Sequence, residues 1–150
     1  MRSSPRDENI RIGLGTALKS RQEPYHHCLI LSDPPSNGGY IVLVRVTTDD
    51  GKWPDQDCIL TSTEWSELDH NSTVAYSTAL CGRVEVELQK AIRSGEFEVI
   101  ASPSPDVLHK VIVAGRMAEG MPPKAQAWLR DRTVPSRLNA FALERREAAD

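Results

Sequence analysis

The chain has 150 residues, enough to bury one hydrophobic core, and 39% hydrophobic and 26% charged residues are typical of a globular protein. No apolar run approaches the roughly 18 to 20 residues that span a bilayer, and the first residues lack the apolar stretch of a signal peptide. We therefore expect a single cytoplasmic domain over residues 1–150. The net charge of −3 is uneven, because residues 28–82 carry two basic and eight acidic residues, which counts against an extended phosphate-binding surface there.

The first 82 residues predict a loose segment followed by a small β structure. Residues 1–24 are polar and weakly patterned, and we expect them to form a loose N-terminal segment. Short strands separated by stretches dense in Pro, Gly, Asn and Asp predict an antiparallel sheet that curls into a barrel over residues 25–82. Four segments rich in β-branched residues supply these strands, at about 26–32, 39–47, 56–61 and 73–81.

The pattern becomes mainly helical after residue 83 and stays so to residue 150. Leu88, Ala91 and Ile92 lie at helical spacing, with Gly95 placed as a C-terminal cap. Ser104 is the expected N-cap of the next helix. The stretches "PPKAQAWLRD" and "SRLNAFALERREAAD" predict two further helices, and "EFEVIA" is a candidate for one more strand.

The three cysteines, Cys28, Cys58 and Cys81, each lie in an apolar, strand-like run. An odd number of cysteines in a chain without an export signal argues against a disulfide framework. We therefore expect all three thiols to be free and at least two of them to be buried as small hydrophobic side chains.

The first two predicted strands form a hairpin that brings polar residues together. Pairing Ser32 opposite Tyr40 puts His26 opposite Val46, give or take a residue. On the second strand, residues two apart share a face and lie about 7 Å from each other. The hairpin therefore predicts that the start of the first strand and the end of the second meet at one edge of the sheet.

Four residues at this edge form a candidate site: His26, His27, Arg45 and Thr47. An imidazole can move a proton near pH 7, a guanidinium can offset developing negative charge, and a hydroxyl can orient an oxygen. We assign catalytic roles to His26, Arg45 and Thr47, and a substrate-binding role to His27. The alternative is that polar residues at strand ends are simply solvated or form turns.

Metal chemistry has less support in the sequence. The histidines and cysteines show no paired Cys-x₂-Cys spacing, and adjacent histidines on a strand point to opposite faces. A zinc site drawn from His26, His27, Cys28, Cys58, His70 and Cys81 is therefore a minor alternative. We expect neither a metal nor a cofactor.

From Tyr25 to Leu80 the chain resembles the PemK/MazF group of toxins from toxin–antitoxin pairs. The resemblance rests on "YHHCLILS", on the strand that closes "VRVTTDD", and on "DQDCIL" followed by "LDHNSTVAYSTAL". The stretch "VEVELQKAIRSGEFEV" is similar to the helical continuation of one PemK-like branch. The resemblance implies an α+β fold in which a small antiparallel SH3-like β-barrel is followed by C-terminal helices.

The same resemblance implies metal-independent cleavage of single-stranded RNA, an antitoxin protein as partner, and a homodimer. The family's partner threonine matches Thr47, whereas His26 occupies the position of the family's catalytic arginine, so Arg45 would have to substitute from the neighbouring strand. Two hypotheses follow. The first is an endoribonuclease of this type, and the second is a catalytically inert SH3-like barrel that acts as a protein-binding module.

Overall fold

A computed structural model describes residues 12–21, 26–33, 39–49, 51 and 54–131, and the helix predicted near the C-terminus lies outside these residues. Within the described part, three helices accompany six strands. The helices are α1 (Glu85–Arg93), α2 (Pro105–Met117) and α3 (Pro123–Asp131). The strands are β1 (Ala17–Ser20), β2 (His27–Ile30), β3 (Ile41–Thr48), β4 (Ile59–Leu60), β5 (Ser72–Gly82) and β6 (Phe97–Ile100).

The strands form one sheet in the order β4-β5-β3-β2-β1-β6, and every neighbouring pair is antiparallel. The predicted α+β class with an antiparallel sheet is therefore confirmed. No backbone pairing joins the outer strands β4 and β6 in the described residues. Instead, the indole N–H of Trp65, which follows β4, donates a 2.8 Å hydrogen bond to the carbonyl of Ala101, which follows β6. A side chain thus links the two ends of the curled sheet.

The sheet has a hydrophobic cluster on each face. One face packs against α2 and α3, where Val111 and Leu129 are fully buried with Val44 of β3. The other face packs against α1 through Leu88 and Ile92. β3 contributes to both faces, as the apolar character of its two sides predicts.

The strand β1 differs from the expectation of a loose segment over residues 1–24. Ala17 and Leu18 have 0% exposure, because β1 lies between β2 and β6 and each of its faces contacts one hydrophobic cluster. Four residues were too short a run to show period-two alternation within a polar sequence. Residues 1–11 lie outside the described residues.

The helix ends follow the sequence signals. The Ser104 side chain accepts a 3.3 Å hydrogen bond from the Val107 N–H, as an N-cap does. Gly95, after α1, has a φ of 86°, and the N–H of Glu96 bonds to the carbonyl of Ala91, which closes the helix. These two predicted helix boundaries are confirmed.

The cysteine prediction is also confirmed. All three thiols are free, Cys28 and Cys58 are each 2% exposed, and Cys81 is half-buried. Among the described residues, no helix is long and apolar enough to cross a membrane.

Candidate functional site

The register of β2 and β3 decides which polar side chains meet. The structure pairs His27 with Val46 and Cys28 with Arg45, one residue away from the predicted pairing of His26 with Val46. The shift has a local cause at Ser32. Its hydroxyl donates to the carbonyl of Tyr40 and accepts from the N–H of Val42, both at 2.9 Å, so the side chain replaces the expected backbone pairing of Ser32 with Tyr40.

This register puts three of the four predicted site residues on one face. Directly opposed residues of an antiparallel pair share a face, so Arg45 lies beside Cys28. Extending the register by one residue sets His26 opposite Thr47, on that same face. Arg45 is close enough to His26 to lower its pKa by charge repulsion. The structure therefore brings His26, Arg45 and Thr47 together on the face of the sheet that packs against α1, next to the part that α1 covers.

His27 lies on the other face, away from these three residues. It is the cross-strand neighbour of Lys19 and Val46, and its ring contacts the edge of Trp65 with the centroids 5.6 Å apart. Its Nε2 is buried and has no partner in the described residues. The substrate-binding role predicted for His27 would have to operate from this second face.

The pKa of His26 lies below its ordinary value of 6.5. Burial is the largest cause, and the positive charges of Arg45 and then His27 act in the same direction. The imidazole is therefore neutral at pH 7 and able to accept a proton. Its Nδ1 is buried without a partner among the described residues, so proton exchange with a substrate has to run through Nε2.

Cys28 is the buried cross-strand neighbour of Arg45 on the same face of the sheet. Burial raises the pKa of its thiol to about 11, although the nearby Arg45 opposes that shift. The side chain is therefore an uncharged thiol at neutral pH and is a poor nucleophile. The side chain of Cys28 packs in the hydrophobic cluster beneath α1.

Arg45 is held from the neighbouring strand β5. Its Nε donates to the hydroxyl of Thr78 at 3.4 Å, a long and therefore weak hydrogen bond. In the described part of the chain, the structure records no acceptor at the two terminal nitrogens of Arg45. A guanidinium held through Nε presents those nitrogens side by side, the geometry that binds two oxygens of a phosphate.

Thr78 was not identified from the sequence. It lies 33 positions from Arg45, and the two meet because β5 carries an irregular stretch at this point. The only local signal was the run of small polar residues in "YSTAL", inside an otherwise apolar strand.

The described residues contain no group of three His, Cys, Asp or Glu side chains that could hold a metal ion. Among the residues named above as an alternative zinc site, Cys58 lies apart from His26 and Cys28. It belongs to the hydrophobic cluster beneath α2 and α3, whereas Cys28 belongs to the cluster beneath α1.

No protein-family model and no curated protein sequence matches the chain. The structure is similar to chains in two MazE–MazF crystal structures from Deinococcus radiodurans. Form-III has 19% identity over 75% of this chain and 100% of the other, and Form-II has 20% identity over 75% and 99%, each with a TM-score of 0.48. A MazF crystal structure (Form-I) from the same organism has 18% identity over 72% of this chain and 96% of the other, with a TM-score of 0.47.

Proposed function

We propose that this protein is a PemK/MazF-like endoribonuclease that cleaves single-stranded RNA without a metal ion. The observation that carries the proposal is the position of Arg45, on the same face as His26 and Thr47 and at the end of two paired strands. A base, a cation and a hydroxyl within reach of one phosphate are the groups that transfer of a phosphodiester requires.

The proposed reaction starts from a neutral His26. Its Nε2 accepts the proton of the RNA 2′-hydroxyl, and the resulting oxygen attacks the adjacent phosphorus. The bond to the 5′-oxygen breaks and that oxygen takes a proton from water, while His26 gives the proton it accepted back to the solvent and becomes neutral again. The products are a 2′,3′-cyclic phosphate and a free 5′-hydroxyl, so no external reactant is consumed.

Arg45 would stabilise the negative charge that builds on the phosphate oxygens during attack. The hydrogen bond from its Nε to Thr78 would favour an orientation that leaves the two terminal nitrogens for the phosphate. Thr47, half-buried beside Arg45 on β3, would donate its hydroxyl to a phosphate or ribose oxygen and so fix the orientation of the substrate.

The test is cleavage of a mixed-sequence single-stranded RNA in the presence of EDTA. Removing a preorganised electrostatic donor costs a factor of roughly 10² to 10³ in rate, and removing a general base roughly 10² to 10⁴. We expect Arg45→Ala and His26→Ala each to lose nearly all cleavage, and Thr47→Ala to be milder. The exposed Thr48→Ala on the same strand is the matched control and should cleave like the wild type. Wild-type cleavage that survives all three site substitutions would rule out this site.

The second candidate function is the catalytically inert protein-binding module. The acidic composition of residues 28–82 favours it, because it weakens the attraction for a polyanion. A wild-type protein that leaves RNA intact under these conditions would decide for this candidate.

We also propose, from the sequence resemblance, that the chain forms a homodimer and binds an antitoxin protein. Co-expression with the product of the neighbouring gene, followed by size-exclusion chromatography, would measure both. A monomer that does not co-elute with that product would contradict both parts.

A further inference from the structure

The strand β5 contains a bulge opposite the candidate site. Leu43 of β3 pairs with Leu80 and Arg45 pairs with Ala75. Between these pairs, β3 has only Val44, whereas β5 has the four residues 76–79. The extra residues interrupt the regular backbone pairing of β5 with β3 next to Arg45. Bulges of this kind commonly re-aim a side chain next to an active site.

The bulge fixes the direction of one hydroxyl. Thr78 Oγ1 donates its single proton to the carbonyl of Ala75 at 3.0 Å. The oxygen can therefore act only as an acceptor toward Arg45, whose Nε lies 3.4 Å away. Because the hydroxyl proton of Thr78 is bonded to Ala75, the oxygen of Thr78 stays available to accept the hydrogen bond from Arg45.

A buried carboxylate holds the bulge in place. Asp55 is 2% exposed and accepts two hydrogen bonds from Ser77, one from the backbone N–H at 2.9 Å and one from the hydroxyl at 2.5 Å. The carbonyl of Asp55 accepts from the hydroxyl of Thr73, on the other side of Ala75. Asp55 is therefore hydrogen-bonded to β5 both before the bulge, at Thr73, and inside it, at Ser77.

The turn between α2 and α3 covers this contact. A Cβ at Gly120 would lie 3.4 Å from Oδ1 of Asp55 and 3.5 Å from Cβ of Ser77. The carboxylate is thus enclosed between β5 and the helical layer. Burying a carboxylate is costly, and among the described residues the two bonds from Ser77 offset that cost.

We propose that Asp55 is a positioning residue for the RNA cleavage proposed above. Through Ser77 it fixes the bulge of β5, and the bulge holds Thr78 against Nε of Arg45. The terminal nitrogens of Arg45 are thereby aimed at the phosphate before substrate binds. The role in catalysis rests on the proposed function, whereas the mechanical link from Asp55 to Arg45 does not.

The link is measured by NMR of the Arg45 Nε–Hε group, which needs no activity. The resonance is identified by its loss in Arg45→Lys. In Asp55→Asn and in the milder Ser77→Ala we expect this resonance to shift and its proton to exchange with water about tenfold faster, because the acceptor is no longer held in place. The matched control is Asp57→Asn, which removes the same charge from an exposed neighbour in the same loop. An Arg45 resonance that stays unchanged in both test variants, or that changes equally in Asp57→Asn, would overturn the proposal.

The catalytic consequence is measured by RNA cleavage at saturating substrate. We expect Asp55→Asn and Thr78→Val to lower kcat about tenfold with little change in KM, since the guanidinium is misplaced rather than removed. Thr78→Ser, which keeps the hydroxyl, should recover most of the rate lost in Thr78→Val. In an Arg45→Lys background, Asp55→Asn should add nothing, because residues that act through one group are not additive.

The outcomes separate the two proposals. If the wild type leaves RNA intact, the proposed function fails, and the NMR result alone decides whether Asp55 positions Arg45. If the wild type cleaves RNA and Asp55→Asn lowers the rate equally in the wild-type and Arg45→Lys backgrounds, Asp55 acts on folding or on another group, and the positioning role is wrong.

Discussion

Trp65 links the two ends of the sheet, and the substitution Trp65→Phe tests how much that link contributes to stability. Trp65 is 2% exposed and its indole donates a 2.8 Å hydrogen bond to the carbonyl of Ala101. Its ring edge also contacts His27 on β2. In the described residues this side chain joins two sheet ends that no backbone pairing connects.

The expected loss has two parts. Phenylalanine removes the donor to the Ala101 carbonyl, and because Ala101 is exposed to water this costs about 0.5–1.5 kcal/mol, as for an ordinary hydrogen bond. The smaller ring also leaves unfilled space, which costs roughly 1–2 kcal/mol for the apolar atoms removed. Together the free energy of unfolding should fall by about 1.5–3.5 kcal/mol, which for a chain of this length lowers Tm by about 3–14 °C.

Thermal unfolding followed by far-UV circular dichroism measures this loss. Trp128→Phe is the matched control, because Trp128 is half-buried and stacks on Tyr40, with the centroids 4.3 Å apart, far from the sheet ends. We expect its Tm to fall much less. A Trp65→Phe protein that unfolds at the wild-type temperature would refute the idea that the indole joins the two ends of the sheet.

Three further predictions concern pH and packing. Burial is the largest cause that lowers the pKa of His27 below 6.5, and the charge of Lys19 acts in the same direction. These effects outweigh the hydrogen bond to the Glu67 backbone and the charges of Glu67 and Asp69, which raise the pKa. The folded state therefore binds fewer protons than the unfolded state. Stability to urea should therefore decline as the pH falls from about 6.5 through the folded pKa, and less so in His27→Gln. Since a neutral His26 is the proposed base, wild-type cleavage should fall in acid. In Arg45→Gln, which we expect to cleave little, the pKa of His26 followed by NMR titration should rise, because the positive charge that lowers it is gone. Gly115→Ala should lower the free energy of unfolding by about 1–3 kcal/mol in urea titration, because its Cβ would lie only 2.9 Å from Cδ1 of Leu129.

Local signals in the sequence were enough to predict most of the elements. Gly95 and Ser104 marked helix ends through backbone geometry and capping, which depend on a few neighbouring residues. The strands β2 and β3 followed from short apolar runs on either side of a loop rich in turn residues. The strand β1 has only a weak local signal, because Ala17 and Leu18 are buried by partners on β2 and β6, and that burial is a tertiary property.

The candidate site was predictable only in part. The hairpin placed His26, Arg45 and Thr47 near one another, although the register was one residue off because the Ser32 side chain replaces a backbone pair. The contact of Arg45 with Thr78 could not be predicted. It depends on a bulge that Asp55 holds from a different part of the chain, and such a contact leaves no periodic signal in the sequence.

The central claim is that the RNA 2′-hydroxyl attacks its own phosphate under the action of His26 and Arg45. The most direct measurement is the chemistry of the product ends, determined by mass spectrometry after cleavage in EDTA. We predict that every new 3′ end carries a 2′,3′-cyclic phosphate, that DNA of the same sequence stays intact, and that Arg45→Ala yields no such ends. Products that carry a free 3′-hydroxyl, or DNA that is cut as fast as RNA, would contradict the proposed site and mechanism.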